Sequence, residues 1–168
     1  MYTLQKSISM HELLTDTEKV DFKTRLLNEC IKMIEERITA SSVAIANAQA
    51  AANAEEKSSA GDKYETSRAM SHLEKDMHAR QLEANRRELS ALMQIDCKHL
   101  YDMVSPGAYI ACEGCSFFIA AGLGKASFEN IDIYLLSPNA PLARSLSGKR
   151  KGEGFTFNKM EMRIQALF

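Results

Sequence analysis

Asp62 and Glu65 stand three residues apart, directly after a glycine, in the run Gly61-Asp62-Lys63-Tyr64-Glu65. Two neighbouring carboxylates offer hard oxygen donors to a metal ion, or negative charge to a basic partner. The same spacing also serves a helix start. An aspartate cap with a glutamate three residues later closes a capping box, and both charges favour the positive end of a helix dipole. The residues alone leave both readings open. The flanking elements decide where such a pair is presented.

Those elements are two long helical patterns. From about Thr17 to Asp96 the chain is rich in Ala, Glu, Lys, Arg, Leu and Met, all strong helix formers. Thr15 and Asp16 suit a helix cap, with Glu18 in the first turn. Leu27, Ile31, Ile34, Ile38 and Ile45 recur at spacings of three, four or seven, and the rhythm continues into Ala48 and Ala52, which predicts a coiled-coil seam. Seven of the eleven positions from Ala44 to Ala54 are alanine, so the two backbones are expected to approach closely there. The stretch Lys57-Ser58-Ser59-Ala60-Gly61-Asp62 is the break, with Gly61 free to take a positive φ. The second helix is expected from about Lys63 to Asp96, with Met70, Leu73, Met77, Leu82, Leu89 and Leu92 as its apolar face. So short a break folds the second helix back antiparallel on the first. Arms of this length predict a hairpin roughly 50–60 Å long at about 1.5 Å per residue. The tip is expected at about residues 58–65.

After Cys97 the pattern changes. Pro106 and Gly107 punctuate, and Ala108–Glu113 and Cys115–Ala120 form short β-prone runs around a turn at Glu113-Gly114. Ile131–Leu136 is a third apolar run, Ala140–Leu146 a short helix, and Gly154–Phe157 and Met160–Leu167 a hairpin turning at Asn158-Lys159. The expected fold class is α+β. A helical hairpin over residues 1–98 precedes a small, mostly antiparallel β domain with one short helix over residues 99–168. Its expected core draws on Tyr109, Ile110, Phe117, Phe118, Ile119, Ile131, Ile133, Leu135, Leu142, Leu146, Phe155, Met162 and Ile164.

Other residues could carry chemistry. Cys112-Glu113-Gly114-Cys115 is a C-x-x-C pair, open to a zinc site with Cys97 and His99, to thiol redox chemistry, or to ordinary buried thiols. Cys30 is expected at the first helix's interface. His72 and His78 accompany Glu74 and Asp76 without an H-E-x-x-H arrangement and suit a solvated face. Lys149, Arg150 and Lys151 form a basic cluster, and Met160, Met162 and Phe168 suit either strand burial or an apolar docking edge.

The totals exclude several classes. With 168 residues and a net charge of −1, the chain is neither a bulk nucleic-acid binder nor an acidic tail. No run of some 18 apolar residues marks a transmembrane helix. The first fourteen residues lack a signal-peptide layout, and four cysteines without one fit a reducing cytosol, so a cytoplasmic location is expected.

The run from Pro141 to Glu153, Pro-Leu-Ala-Arg-Ser-Leu-Ser-Gly-Lys-Arg-Lys-Gly-Glu, closely resembles the C-terminal signature of the bacterial Gre transcript-cleavage factors. The turn Gly61-Asp62-Lys63-Tyr64-Glu65 looks like that family's Gly-Asp-x-x-Glu tip, and the order of hairpin and small domain fits. The resemblance covers about residues 17 to 168. Thr66-Ser67-Arg68-Ala69 stands where the family usually has Asn-Ala-Glu-Tyr, so the chain resembles a divergent member.

The resemblance implies a helical hairpin followed by an FKBP-like domain. It implies an accessory factor rather than an enzyme, one that enters the secondary channel of RNA polymerase and stimulates cleavage of backtracked RNA. Asp62 would then ligate a Mg²⁺ shared with the polymerase active site, directly or through water, and Glu65 would support that ion or orient the attacking water. Lys63 and Tyr64 would position the transcript near its 3′ end within the elongation complex. No tightly bound cofactor and no membrane are implied, and a monomer is expected. Two alternatives stand beside this reading. One is a Gre-like competitor that occupies the channel and regulates the polymerase without cleavage. The other is a coiled-coil interaction or scaffold protein.

Overall fold

The computed structural model describes residues 13–55 and 62–168, and of Glu55, residues 62–65 and Arg68 it describes the backbone alone. Two helices come first, α1 (Asp16–Glu55) and α2 (Asp62–Leu92). They are followed by β1 (Tyr109–Ala111), β2 (Ser116–Ile119), β3 (Gly124–Phe128), β4 (Ile131–Leu136), α3 (Pro141–Leu146), β5 (Gly154–Phe157), β6 (Met160–Arg163) and β7 (Ala166–Leu167). The fold is α+β, with a mixed sheet in its C-terminal part.

α1 starts where a cap allows it. The Thr15 backbone N–H donates to Glu18 Oε2 at 2.7 Å, and the Glu18 N–H returns to Thr15 Oγ1 at 3.3 Å. This reciprocal pair satisfies two donors that an uncapped helix leaves open. The bonds from Thr15 hold the Glu18 carboxyl below the usual carboxylate range.

The chain divides into two compact units, and the division runs through both helices: one unit joins the described residues up to Ile31 with Ala91–Phe168, and the other is Lys32–Ser90. In the first, the order of the five-stranded sheet is β3-β4-β2-β1-β7. β2 and β4 run parallel, with Ser116 beside Ile133 and Ile119 beside Leu136. The other pairs are antiparallel. The sheet is therefore mixed: the domain is mostly antiparallel as expected, and the β2–β4 pair is the parallel exception. β3 explains the exception. It occupies the edge and turns back at Glu129 and Asn130, both at positive φ, so that β4 enters between β3 and β2. β5 and β6 form a separate pair that turns at Asn158-Lys159 as expected, with both residues at positive φ.

The core of this unit holds most of the expected residues. Tyr109, Ile110, Phe117, Phe118, Ile133 and Leu146 are fully buried, and Ile119, Leu135, Phe155 and Ile164 nearly so. Ile131, Leu142 and Met162 are half-buried. α1 contributes as well. Phe22, Leu26 and Cys30 are buried, and the Phe22 ring packs edge-on against Tyr109, Phe128 and Phe168. Phe168 is thus a core residue and not part of a docking edge, whereas Met160 is exposed.

In the second unit, α1 presents Ile34, Ser41, Ala48 and Ala52 as its buried stripe. On α2 the inward residues are Ser71, Lys75, His78, Leu82, Asn85 and Leu89, at alternating steps of four and three. This is a coiled-coil rhythm. The expected face was different in its first half: Met70, Leu73 and Met77 are 63, 66 and 59% exposed. The inward stripe runs in one phase along α2 and takes polar residues where the sequence offers them.

Candidate functional site

The break at residues 56–61 lies outside the described residues. Asp62 opens α2 and Glu65 follows within its first turn, so both fall where a helix dipole favours negative charge. Their carboxylates, and the side chains of Lys63, Tyr64 and Arg68, lie outside the description. α1 and α2 are joined laterally by Lys75, whose Nζ donates to Gln49 Oε1 at 2.6 Å. Gln49 in turn donates to Asn53 Oδ1 at 2.8 Å. Position 62 is midway in sequence between Gln49 and Lys75, so the register is symmetric about the start of α2.

The C-terminal motif has a structural account of its own. Pro141 sits in the first turn of α3, where its missing N–H costs nothing. Ala143 and Leu146 are its buried residues. Gly148 then takes φ +77°, and the chain is locked to the preceding loop by Gly148 N–H to the Val104 carbonyl at 2.9 Å and Val104 N–H to the Lys149 carbonyl at 2.8 Å. Gly152 takes φ +88° and donates to the Ile164 carbonyl at 2.8 Å. Both glycines occupy a region that β-carbon sterics deny to most residues. The Glu153 carboxylate accepts the Arg150 backbone N–H, and the Arg150 guanidinium pairs with Asp102 at 2.9 Å. Small, apolar, glycine and acidic positions of the motif each have a local physical reason. In the basic cluster, Arg150 is engaged with Asp102, while Lys149 is half-buried.

The other candidates separate. Among the described residues no three of His, Cys, Asp and Glu gather in an arrangement that could hold a metal ion, so Cys97, His99, Cys112 and Cys115 do not form the four-ligand zinc site. His72 is exposed as expected. His78 instead faces inward, half-buried, 3.9 Å from Glu74.

Sequence reasoning missed Lys23. It lies at 0% exposure, with Nζ donating to the His99 carbonyl at 2.7 Å and standing 4.6 Å above the Tyr101 ring. Burial pushes its pKa down to about 8, opposed by the charges of Cys97 and Asp96. Burial likewise pushes the Cys97 thiol up, with Lys23 opposing. Beside this group lies a cavity of about 450 Å³ lined in part by Asp96, His99, Tyr101, Pro106 and Pro138. The signal was present in the sequence: Lys23, Leu27, Cys30 and Ile34 share one seam spacing, which puts the lysine on the inward stripe.

No helix among the described residues is long and apolar enough to cross a membrane. A scan of protein-family models, a search of curated proteins and a search of solved structures each returned no match to this chain.

Proposed function

We propose that this chain is a Gre-like transcription elongation factor, which binds RNA polymerase through the secondary channel and stimulates cleavage of backtracked RNA. The observation that carries the reading is the motif Pro141–Glu153, which resembles the Gre signature and lies downstream of a Gly-Asp-x-x-Glu run at the start of a long paired helix. An FKBP-like C-terminal domain belongs to the same proposal, supported by the small sheet and the single short helix α3. So do a monomeric state and a cytoplasmic location.

In this reading the chain contributes residues to a site that the polymerase owns. Asp62 and Glu65 would bring carboxylate oxygens to the weakly held one of two Mg²⁺ ions, with Asp62 as ligand and Glu65 supporting the ion or orienting water. Bound there, Mg²⁺ supplies an activated water and stabilises charge developing on the phosphate. Lys63 and Tyr64 would hold the RNA 3′ segment in line.

The test is RNA cleavage in a purified, artificially backtracked elongation complex, with and without the full chain. Faster Mg²⁺-dependent release of short 3′ fragments, lost in the Asp62→Ala/Glu65→Ala double variant, supports the assignment. Cleavage that survives the double change removes these carboxylates from the mechanism. Suppression of cleavage by an added Gre factor, without stimulation, makes the chain a channel competitor.

One observation favours a reading from another class. Met70, Leu73 and Met77 form an exposed apolar stripe along α2, as a coiled-coil interaction or scaffold protein would present to another helix. A stable oligomer in sedimentation, with no binding to core polymerase, selects that reading.

A further inference from the structure

β1 and β2 form a hairpin in which Tyr109 faces Phe118, Ile110 faces Phe117 and Ala111 faces Ser116. The next pair out is Cys112 and Cys115, and the Cys112 N–H donates to the Cys115 carbonyl at 3.0 Å. Directly opposed residues of an antiparallel pair project to the same face, with β-carbons about 4.5–5.5 Å apart. A disulfide needs about 3.5–4.5 Å, so a small closure joins the two sulfurs. The turn between them, Glu113-Gly114, allows that closure. Gly114 is at φ +79°, and among the described residues beyond its two chain neighbours none comes within 4 Å of where its β-carbon would stand.

The two thiols are free and unequal. Cys112 is 7% exposed and belongs to the core with Ile110, Phe117 and Ile119. Cys115 is only half-buried. Burial raises both thiols, Cys112 to about 12; at Cys115 the Lys125 ammonium works against the rise, and Asp132, ion-paired to Lys125 at 2.6 Å, adds to it. Glu113 borders an open groove of about 690 Å³ shared with Phe155, Met160, Met162 and Arg163, which leaves one side of the turn open to solvent.

We propose that Cys112-Glu113-Gly114-Cys115 is a thiol–disulfide exchange site, with Cys115 as the attacking sulfur and Cys112 as the resolving one, and a low-molecular-weight disulfide as the oxidant. The Cys115 thiolate attacks one sulfur of glutathione disulfide, forming a mixed disulfide and releasing one glutathione thiolate. Cys112 then gives its proton to solvent and attacks the Cys115 sulfur. The Cys112–Cys115 bond forms, the mixed disulfide breaks, and the second glutathione leaves. Two protein thiols are oxidised and one glutathione disulfide is reduced to two thiols. This deepens no part of the transcription reading and stands independently of it.

The experiment incubates the folded full-length chain in glutathione buffers of stepped oxidation and maps disulfides by peptide mass spectrometry. A Cys30→Ser/Cys97→Ser background removes the other thiols, and mapping on the unsubstituted chain locates the bond if that background fails to fold. The expected product is a Cys112–Cys115 peptide lighter by two hydrogens. In single variants, Cys112→Ser accumulates glutathione on Cys115 at least about tenfold faster than Cys115→Ser accumulates it on Cys112, because exchange follows thiolate access. The rate climbs with pH into the alkaline range. Equal labelling of the two single variants overturns the assignment of roles. A bond that forms only in urea, or never, overturns the site.

Discussion

The rings of Phe22 and Tyr109 meet edge to face, 4.9 Å between centroids and 74° between planes. Phe22 lies in the second turn of α1 and Tyr109 opens β1, so this contact ties the first helix to the sheet. Phe168 completes a triangle of rings, 5.0 Å from Tyr109 and 6.3 Å from Phe22. We expect Phe22→Ala to cost about 3–5 kcal/mol, the range for an aromatic truncated in a closed core. Urea unfolding measures it. A loss near zero would mean that α1 does not serve the sheet's core.

Lys23 predicts a pH dependence. Its folded pKa of about 8 lies below the ordinary lysine value, so the stability it contributes is present at high pH and is lost as pH falls through about 8. At pH 7 the buried charge is a burden, and Lys23→Met is expected to be more stable by about 1–3 kcal/mol. That advantage should shrink as pH rises from about 8 towards 10. Cys97 feels Lys23 directly, so the comparison belongs in a Cys97→Ser background, read from urea midpoints at pH 7 and 9.5. A difference that stays constant with pH would remove the lysine as its cause.

The exposed stripe on α2 gives a third expectation. Replacing Met70, Leu73 and Met77 together with Gln should leave monomer stability nearly unchanged, each site contributing no more than about 0.5 kcal/mol. Thermal unfolding checks this at low concentration. A large loss would show that these side chains are covered, by α1 or by a second copy, and concentration dependence tells the two apart.

Asn85 is 4% exposed on the inward stripe of α2. Its Oδ1 accepts from Gln81 at 3.3 Å, but its Nδ2 finds no hydrogen-bond partner among the described residues. A buried unpaired donor costs about 1–3 kcal/mol, so Asn85→Leu should stabilise the helix pair by an amount of that order. A polar residue at such a position also fixes register, so the variant is expected to exchange amide hydrogens less uniformly along α1 and α2. Destabilisation by Asn85→Leu would mean that the amide has a partner, such as an ordered water.

Much of the architecture was legible because it rests on local chemistry. The Thr15–Glu18 cap, the turns at Glu113-Gly114 and Asn158-Lys159 and the apolar run of β4 all announce themselves within a few residues. β3 did not, since Gly124–Phe128 is a solvated edge strand whose Lys125 and Ser127 read as loop. The inward face of α2 also misled, because Met70, Leu73 and Met77 satisfy helical spacing while Lys75 and His78 take the seam. Periodicity fixes which residues share a face but not which face meets α1. For the candidate site, Asp62 and Glu65 stand out by spacing and resemblance, and the helix start supplies only their position in the first turn. Lys23 shows the opposite case: its environment is assembled from His99 and Tyr101, far away in sequence.

The joining of Phe22 to strands that follow α2 has a consequence for synthesis. Translation delivers the first turns of α1 long before Tyr109, Phe128 and Phe168 exist to cover them. Until then the Phe22 ring has no sheet to pack on. α1 and α2 can pair through neighbouring sequence, whereas the sheet must close a long loop to reach its helix, so the sheet is expected to close last.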